Sequence, residues 1–165
     1  MNINNMKTLD VEIAMLSFLN VRQNIIVPNV SWGMGVHECD LLMLTKTGYA
    51  TEFEIKVSKA DLKIDNRKGH GHRSNLIKYL YFVIPEKLKD IALDIIPKRS
   101  GLYIISEGNN RYYVKKIRKA EKNRLALKWT YEQRLHLAHL GVMRILTLKK
   151  TISLLLNITK KGGNK

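Results

Sequence analysis

Apolar residues recur along this chain with two different periods, and the switches between them lay out its elements. Behind Thr8, an N-cap residue, Leu9, Ile13, Leu16 and Leu19 recur at helical spacing and predict a helix over about Leu9 to Arg22. Asn24 to Val27 is a short β-branched run halted by Pro28, and therefore a strand. Trp32-Gly33-Met34-Gly35 reads as a loop that enters a second strand near Val36. Lys46-Thr47-Gly48 supplies a hairpin turn, in which glycine can take a positive φ. The third strand, about Tyr49 to Val57, alternates with a period of two. Thr51, Phe53, Ile55 and Val57 share one face, and Glu52, Glu54 and Lys56 share the other.

Ser58, with Asp61 three residues on, opens a second helix. Asn66 to Asn75 is a basic, glycine-containing loop, and the apolar run Leu76 to Ile84 is a buried strand ended by Pro85. Glu86 to Ile95 follows as a helix that stops before Pro97. Leu102–Ser106 and Arg111–Lys115 form a hairpin across residues 107–110. The remainder is basic and mostly helical, with Thr130 capping a helix from Tyr131. Gly141 ends or bends that helix, Met143 to Leu156 makes a second one, and Lys160 to Lys165 is a frayed tail. The pattern predicts an α/β fold with a mixed four- or five-stranded sheet flanked by helices. Residues 1–117 are the core and 118–165 a basic helical extension packed on or beside it.

Charge sharpens this picture. The net charge is +15, yet residues 1–110 hold 14 Lys/Arg against 12 Asp/Glu, while residues 111–165 hold 15 against 2. Such asymmetry points to a polyanion partner, because each cation that neutralises a phosphate releases a counterion. One cysteine, Cys39, excludes an intrachain disulfide framework and a thiolate zinc site. The first residues carry no basic start leading into an apolar run, and no stretch reaches the roughly 20 apolar residues of a membrane span. A cytoplasmic protein is expected.

The chemistry concentrates in the predicted hairpin. A partner strand ending in Asp40 brings that carboxylate beside Glu54 and Lys56, and two carboxylates with a lysine on one sheet are what a hydrolytic Mg²⁺ site needs. Glu12 lies within the apolar stripe of the first helix, where a buried carboxylate would need Lys56 or a metal-bound water as partner; the bland reading puts it at the stripe's edge, reaching solvent. Glu38 and Glu52 are lesser candidates. His70 and His72 lack nearby co-ligands for zinc, so their loop reads either as a phosphate grip through Arg67, Lys68, His72 and Arg73 or as a solvated basic loop. Lys78 can point into the site. Lys115, Lys116, Arg118, Lys119, Lys122, Arg124 and Lys128 form a run with few acids, suited to phosphate contacts. Trp32, Trp129 and Tyr131 are either base-stacking or packing residues.

The helix–strand–strand–strand–helix–strand order, with Asp on the second strand and Glu-x-Lys on the third, resembles the PD-(D/E)xK nuclease superfamily. Cys39-Asp40-Leu41-Leu42, Glu54-Ile55-Lys56-Val57-Ser58-Lys59-Ala60-Asp61-Leu62, Gly71-His72-Arg73-Ser74-Asn75 and Tyr79-Leu80-Tyr81-Phe82-Val83-Ile84-Pro85-Glu86 resemble its MmcB-like DNA-repair branch, often found in phage genomes. The likeness spans about residues 8–106, and Cys39 stands where that family has proline. The resemblance implies a restriction-endonuclease-like αβββαβ core. It also implies Mg²⁺, or Mn²⁺ as a substitute, held by Asp40, Glu54 and the Ile55 carbonyl. Lys56 would serve the nucleophile and Glu12 would support the site. The expected function is Mg²⁺-dependent hydrolysis of DNA phosphodiesters by an endonuclease, working in the host cytoplasm if phage-encoded. A two-fold dimer is compatible with the sequence but not specified by it. The alternatives are a catalytically silent nucleic-acid-binding module and a phage accessory protein that binds a host component.

Overall fold

The computed structural model describes residues 6–30, 35–65, 74–109 and 111–162, with side chains through residue 158. The expectations for Trp32 and for Arg67, Lys68, His70, His72 and Arg73 lie outside the described residues. Elements follow in the order α1 (Thr8–Phe18), β1 (Ile25–Val30), β2 (Cys39–Leu44), β3 (Ala50–Ile55), α2 (Lys59–Asp65), β4 (Ile77–Pro85), a 3₁₀ turn (Glu86–Leu88), α3 (Lys89–Ile95), β5 (Gly101–Gly108), β6 (Arg111–Arg118) and α4 (Tyr131–Gly162). The six strands form one mixed sheet in sequence order. Pairing is antiparallel for β1–β2, β2–β3 and β5–β6, and parallel for β3–β4 and β4–β5. The hairpin of β5 and β6 adds to the same sheet, so it exceeds the expected four or five strands.

β3 sits centrally and is buried at every position. On one face α1 covers Leu41, Phe53, Tyr81, Val83, Tyr103 and Ile105. The other face carries two apolar groups. Leu62 of α2 and Ala92 of α3 cover Leu80, Phe82, Ile84, Leu102 and Ile104, while Trp129 and Leu137 cover Val27, Leu42, Leu44 and Ala50. The face of β3 that holds Glu52 and Glu54 runs between those two groups.

Several local expectations shift in register. The buried residues of α1 are Val11, Ala14 and Met15; of the expected stripe, Leu19 is buried and Leu16 packs against the same core, whereas Leu9 and Ile13 are exposed. Nearly every stripe of this helix is apolar, and the one containing Ala14 permits the closest approach to the sheet. α1 also starts one residue earlier than expected, at Thr8, with Lys7 as its cap residue. The Asp10 carboxylate accepts the Lys7 N–H at 2.8 Å. Pro28 does not end β1 but pairs with Leu41 inside it. Its missing N–H costs nothing where it faces away from the ladder, because β1 is a sheet edge. The β2–β3 turn is as expected: Gly48 has φ +86°, and its N–H donates to the Thr45 carbonyl at 2.9 Å.

Residues 119–130 are not helical. They form a strap beneath the starts of β5, β4 and β3. Glu121 N–H donates to the Arg99 carbonyl (2.8 Å), Asn123 to Lys78 (2.9 Å), Leu127 to Asn75 (2.7 Å) and Trp129 to Gly48 (2.9 Å). The Asn123 amide donates further to the carbonyls of Ser74 and Ile77 at 3.1 and 3.0 Å. α4 then runs unbroken for 32 residues. Its first turn is fixed by reciprocal bonds, Thr130 N–H to Gln133 Oε1 at 2.8 Å and Gln133 N–H to Thr130 Oγ1 at 3.3 Å. Gly141 does not end it. A Cβ there would stand 3.3 Å from Val27 Cγ2, so the glycine marks where the helix crosses β1. From Ile145 to Ile158 every side chain of α4 is exposed. Among the described residues no helix is long and apolar enough to cross a membrane.

Candidate active site

Asp40, Glu54 and Lys56 converge at the end of β3. The β2–β3 ladder ends at the pair Leu41 and Phe53. Beyond it the Asp40 carboxylate takes the place of a backbone acceptor, receiving the Ile55 N–H at 2.7 Å. That bond fixes one carboxylate oxygen against the strand end and leaves the side chain about one-third exposed. Lys56 continues the parallel ladder, its N–H donating to the Val83 carbonyl at 3.0 Å. Its ammonium lies 2.7 Å from Glu54 Oε2 and 3.7 Å from Asp40 Oδ2. Glu54 and Lys56 are both buried, at 2% and 9% exposure.

The surroundings are acidic. Glu52 is buried on the same face as Glu54, at 2% exposure, while Glu38 is exposed just before Cys39. The buried Cys39 thiol is pushed far above its ordinary range, first by burial and then by the charges of Glu52, Glu54, Asp40 and Glu38. Glu12 is half-buried on α1, and its carboxyl is raised by burial and then by the Asp40 charge. Glu12 thus feels Asp40 electrostatically. Among the described residues no group of three or more His, Cys, Asp or Glu side chains surrounds a metal-sized space. The donor set at hand is two carboxylates with the strand end, and an ammonium already lies between them. Hard oxygen donors with few protein ligands suit Mg²⁺, which keeps several waters, so these residues fit that ion.

The cations expected to hold phosphate are not gathered here. Lys78 is the second residue of β4, five residues before Val83, and its ammonium stands 3.2 Å from the centroid of the ring of Tyr49, which precedes the opposite end of β3. Lys115 and Lys119 are exposed. The Lys116 ammonium lies 5.3 Å from the Tyr103 ring and 5.9 Å from the Tyr81 ring. Arg118 is turned inward to close a bend, donating from Nε to the Ser100 carbonyl at 2.8 Å and from Nη2 to the Pro97 carbonyl at 2.9 Å. Trp129 is a packing residue at 2% exposure. Sequence reading missed the burial of Glu52. The burial follows from the central place of β3, a strand paired on both edges and covered on both faces.

Tyr103 and Lys116 make one pH effect accessible. Burial raises the Tyr103 hydroxyl above its ordinary value of 10.0, and the hydrogen bond to Tyr103 raises the Lys116 ammonium above 10.5. Both groups hold their protons longer folded than unfolded, so stability falls as pH rises above about 10. Urea midpoints of wild type are expected to fall more between pH 8 and 10.5 than those of Tyr103→Phe; equal falls would remove this assignment.

No family model matches the chain, and no curated protein matches it. Among solved structures it is similar to a protein of unknown function from Silicibacter pomeroyi. The TM-score is 0.61 at 16% identity, and the match covers 90% of this chain and 92% of that one. At that identity the likeness concerns the fold alone.

Proposed function

We propose that this chain hydrolyses DNA phosphodiester bonds with a divalent cation, as an endonuclease of PD-(D/E)xK type. The observation that carries the reading is the meeting of Asp40, Glu54 and Lys56 at one strand end, with the ammonium 2.7 Å from one carboxylate and 3.7 Å from the other. The helix–strand–strand–strand–helix–strand order and the central place of β3 support it.

Asp40 and Glu54, with the Ile55 carbonyl, would hold Mg²⁺. When bound, the ion supplies an acidified water and offsets charge on the phosphate. The chain's own residues do the rest. Asp40 is oriented by the Ile55 N–H, so its second oxygen is presented without a rotamer search. Lys56 keeps a positive charge at the phosphate or takes a proton from the attacking water, and burial limits the positions its amine can reach. Glu12, whose carboxyl is raised, is suited to holding or passing a proton beside Asp40. The basic residues after β6 supply affinity for DNA, with the cytoplasm as the working compartment.

The test is a panel of labelled duplex, branched and single-stranded DNA and of RNA, incubated with Mg²⁺, Mn²⁺, Ca²⁺ or EDTA. Cleavage of at least one DNA form in Mg²⁺ and Mn²⁺, and none in EDTA, is expected. Persistence of cutting in EDTA overturns the metal role. Failure to cut any DNA in either ion overturns the enzyme and leaves the silent binding module.

A further inference from the structure

A cleft of about 290 Å³ opens between the start of β4 and the strap, lined by Asn75, Lys78, Leu80, Arg99, Glu121 and Lys122 among others. Three cations meet one carboxylate there. Among the described residues no ion pair joins Lys78 or Lys122 to an acid. Lys78 is held in place rather than waving in solvent, because its carbonyl accepts the Asn123 N–H and its ammonium packs on Tyr49. The strap beside the cleft carries Lys119, Lys122, Arg124 and Lys128 against the single acid Glu121.

The cleft and the acidic strand end lie on one face. Leu80, which lines the cleft, pairs with Glu52, and Phe82 pairs with Glu54; side chains at paired positions project to the same side. Their separation follows from the register. Lys56 bonds to Val83, five residues along β4 from Lys78, which spans about 16 Å at 3.3 Å per residue. At about 3.4 Å of rise per nucleotide that straight line is about five nucleotides, and because α2 and α3 cover Leu80 and Phe82 along it, a chain reaching both places spans at least that number.

We propose that this cleft binds the phosphodiester backbone of a nucleic acid at least about five nucleotides away from the strand end that carries Asp40, Glu54 and Lys56. The register rests on the nuclease reading only for its reacting end; the cleft stands on binding alone. It makes the ligand a chain long enough to bridge both places, so affinity rises with length until the cleft is reached.

The test is fluorescence anisotropy in EDTA with labelled DNA and RNA duplexes of about 5 to about 20 base pairs. Wild type is compared with Lys78→Gln/Lys122→Gln and with Lys122→Glu. On the long duplex at about 0.15 M salt, the double variant is expected to bind about tenfold more weakly. The slope of log affinity against log salt is expected to be smaller by about 2. The loss is expected to shrink on the shortest duplex. Lys122 is exposed, so Lys122→Glu decides the matter if the loss of the Lys78–Tyr49 contact prevents folding. Wild-type affinity and salt slope in the variants overturn the proposal, as does an equal loss at every length. Comparison of the DNA and RNA arms identifies which backbone is taken. A positive result here beside a negative cleavage panel removes the nuclease and keeps the cleft; the converse removes the cleft and keeps the nuclease.

Discussion

Asp40→Asn is expected to lower DNA cleavage about 10³-fold or more, close to 4 kcal/mol of transition-state stabilisation. The substitution keeps the size of the side chain, and an amide oxygen still accepts the Ile55 N–H. It removes the charge that, with Glu54, makes the strand end attractive to a divalent ion. Lys56→Met separates the two halves of the site. The side chain keeps its length and loses the ammonium lying 2.7 Å from Glu54 and 3.7 Å from Asp40. Cleavage is expected to fall about 10²-fold or more, in the range of a lost proton-transfer or charge-stabilising group. Metal affinity is expected to move oppositely in the two variants. With the competing cation gone, Lys56→Met gains a larger thermal shift from Mg²⁺ than wild type, while Asp40→Asn loses it. Cleavage near the wild-type rate in Asp40→Asn, or a Mg²⁺ shift unchanged in both variants, would defeat the two-carboxylate arrangement.

Trp129→Ala is expected to be the most disruptive single substitution for stability, at about 3–5 kcal/mol. The indole is 2% exposed and packs among Val27, Leu42, Leu44 and Ala50. Its Nε1–H donates to the Leu76 carbonyl at 2.9 Å, while its backbone N–H donates to Gly48. Truncation therefore opens a large void and strands a carbonyl at the start of β4. For a chain of this size such a loss moves the melting temperature by about 10 °C. Trp129→Phe keeps most of the packing and loses the hydrogen bond, so about 1–3 kcal/mol is expected. Urea unfolding measures both. A loss below about 1 kcal/mol in Trp129→Ala would mean that the strap is not part of the core, whatever its contacts.

The elements of the sheet were legible because their signals are local. Alternation in Thr51–Val57, the Lys46–Gly48 turn and the run ended by Pro85 each report their own backbone preference. The meeting of Asp40, Glu54 and Lys56 was legible for the same reason, since a tight hairpin largely fixes which residues face one another. What escaped depended on distant partners. Nothing in Leu9–Leu19 says which apolar stripe meets the sheet, and Ala14 wins only because β3 and β4 lie beneath it. Gly141 looks like a helix terminator until Val27 is seen at its flank. The basic run 115–128 reads as a set of phosphate contacts in a mostly helical extension, because composition is silent about the carbonyls near the starts of β3, β4 and β5 that bind the backbone of residues 121–129. Arg118 looks like a phosphate ligand for the same reason, although Pro97 and Ser100 claim its guanidinium.

The crossing of α4 over β1 also governs the order in which this molecule can be assembled. The Arg144 guanidinium donates to the Asn29 carbonyl across 115 positions of chain, and Leu137 packs with Val27. A ribosome that has released only the first hundred residues has delivered every strand up to β4 but not the cover for Val27, Leu42 and Leu44. Until Trp129 and Leu137 emerge, that apolar surface stays wet and open to other nascent chains. Contacts of such sequence separation form late in general, so the early sheet is the part of this chain most exposed to aggregation during synthesis.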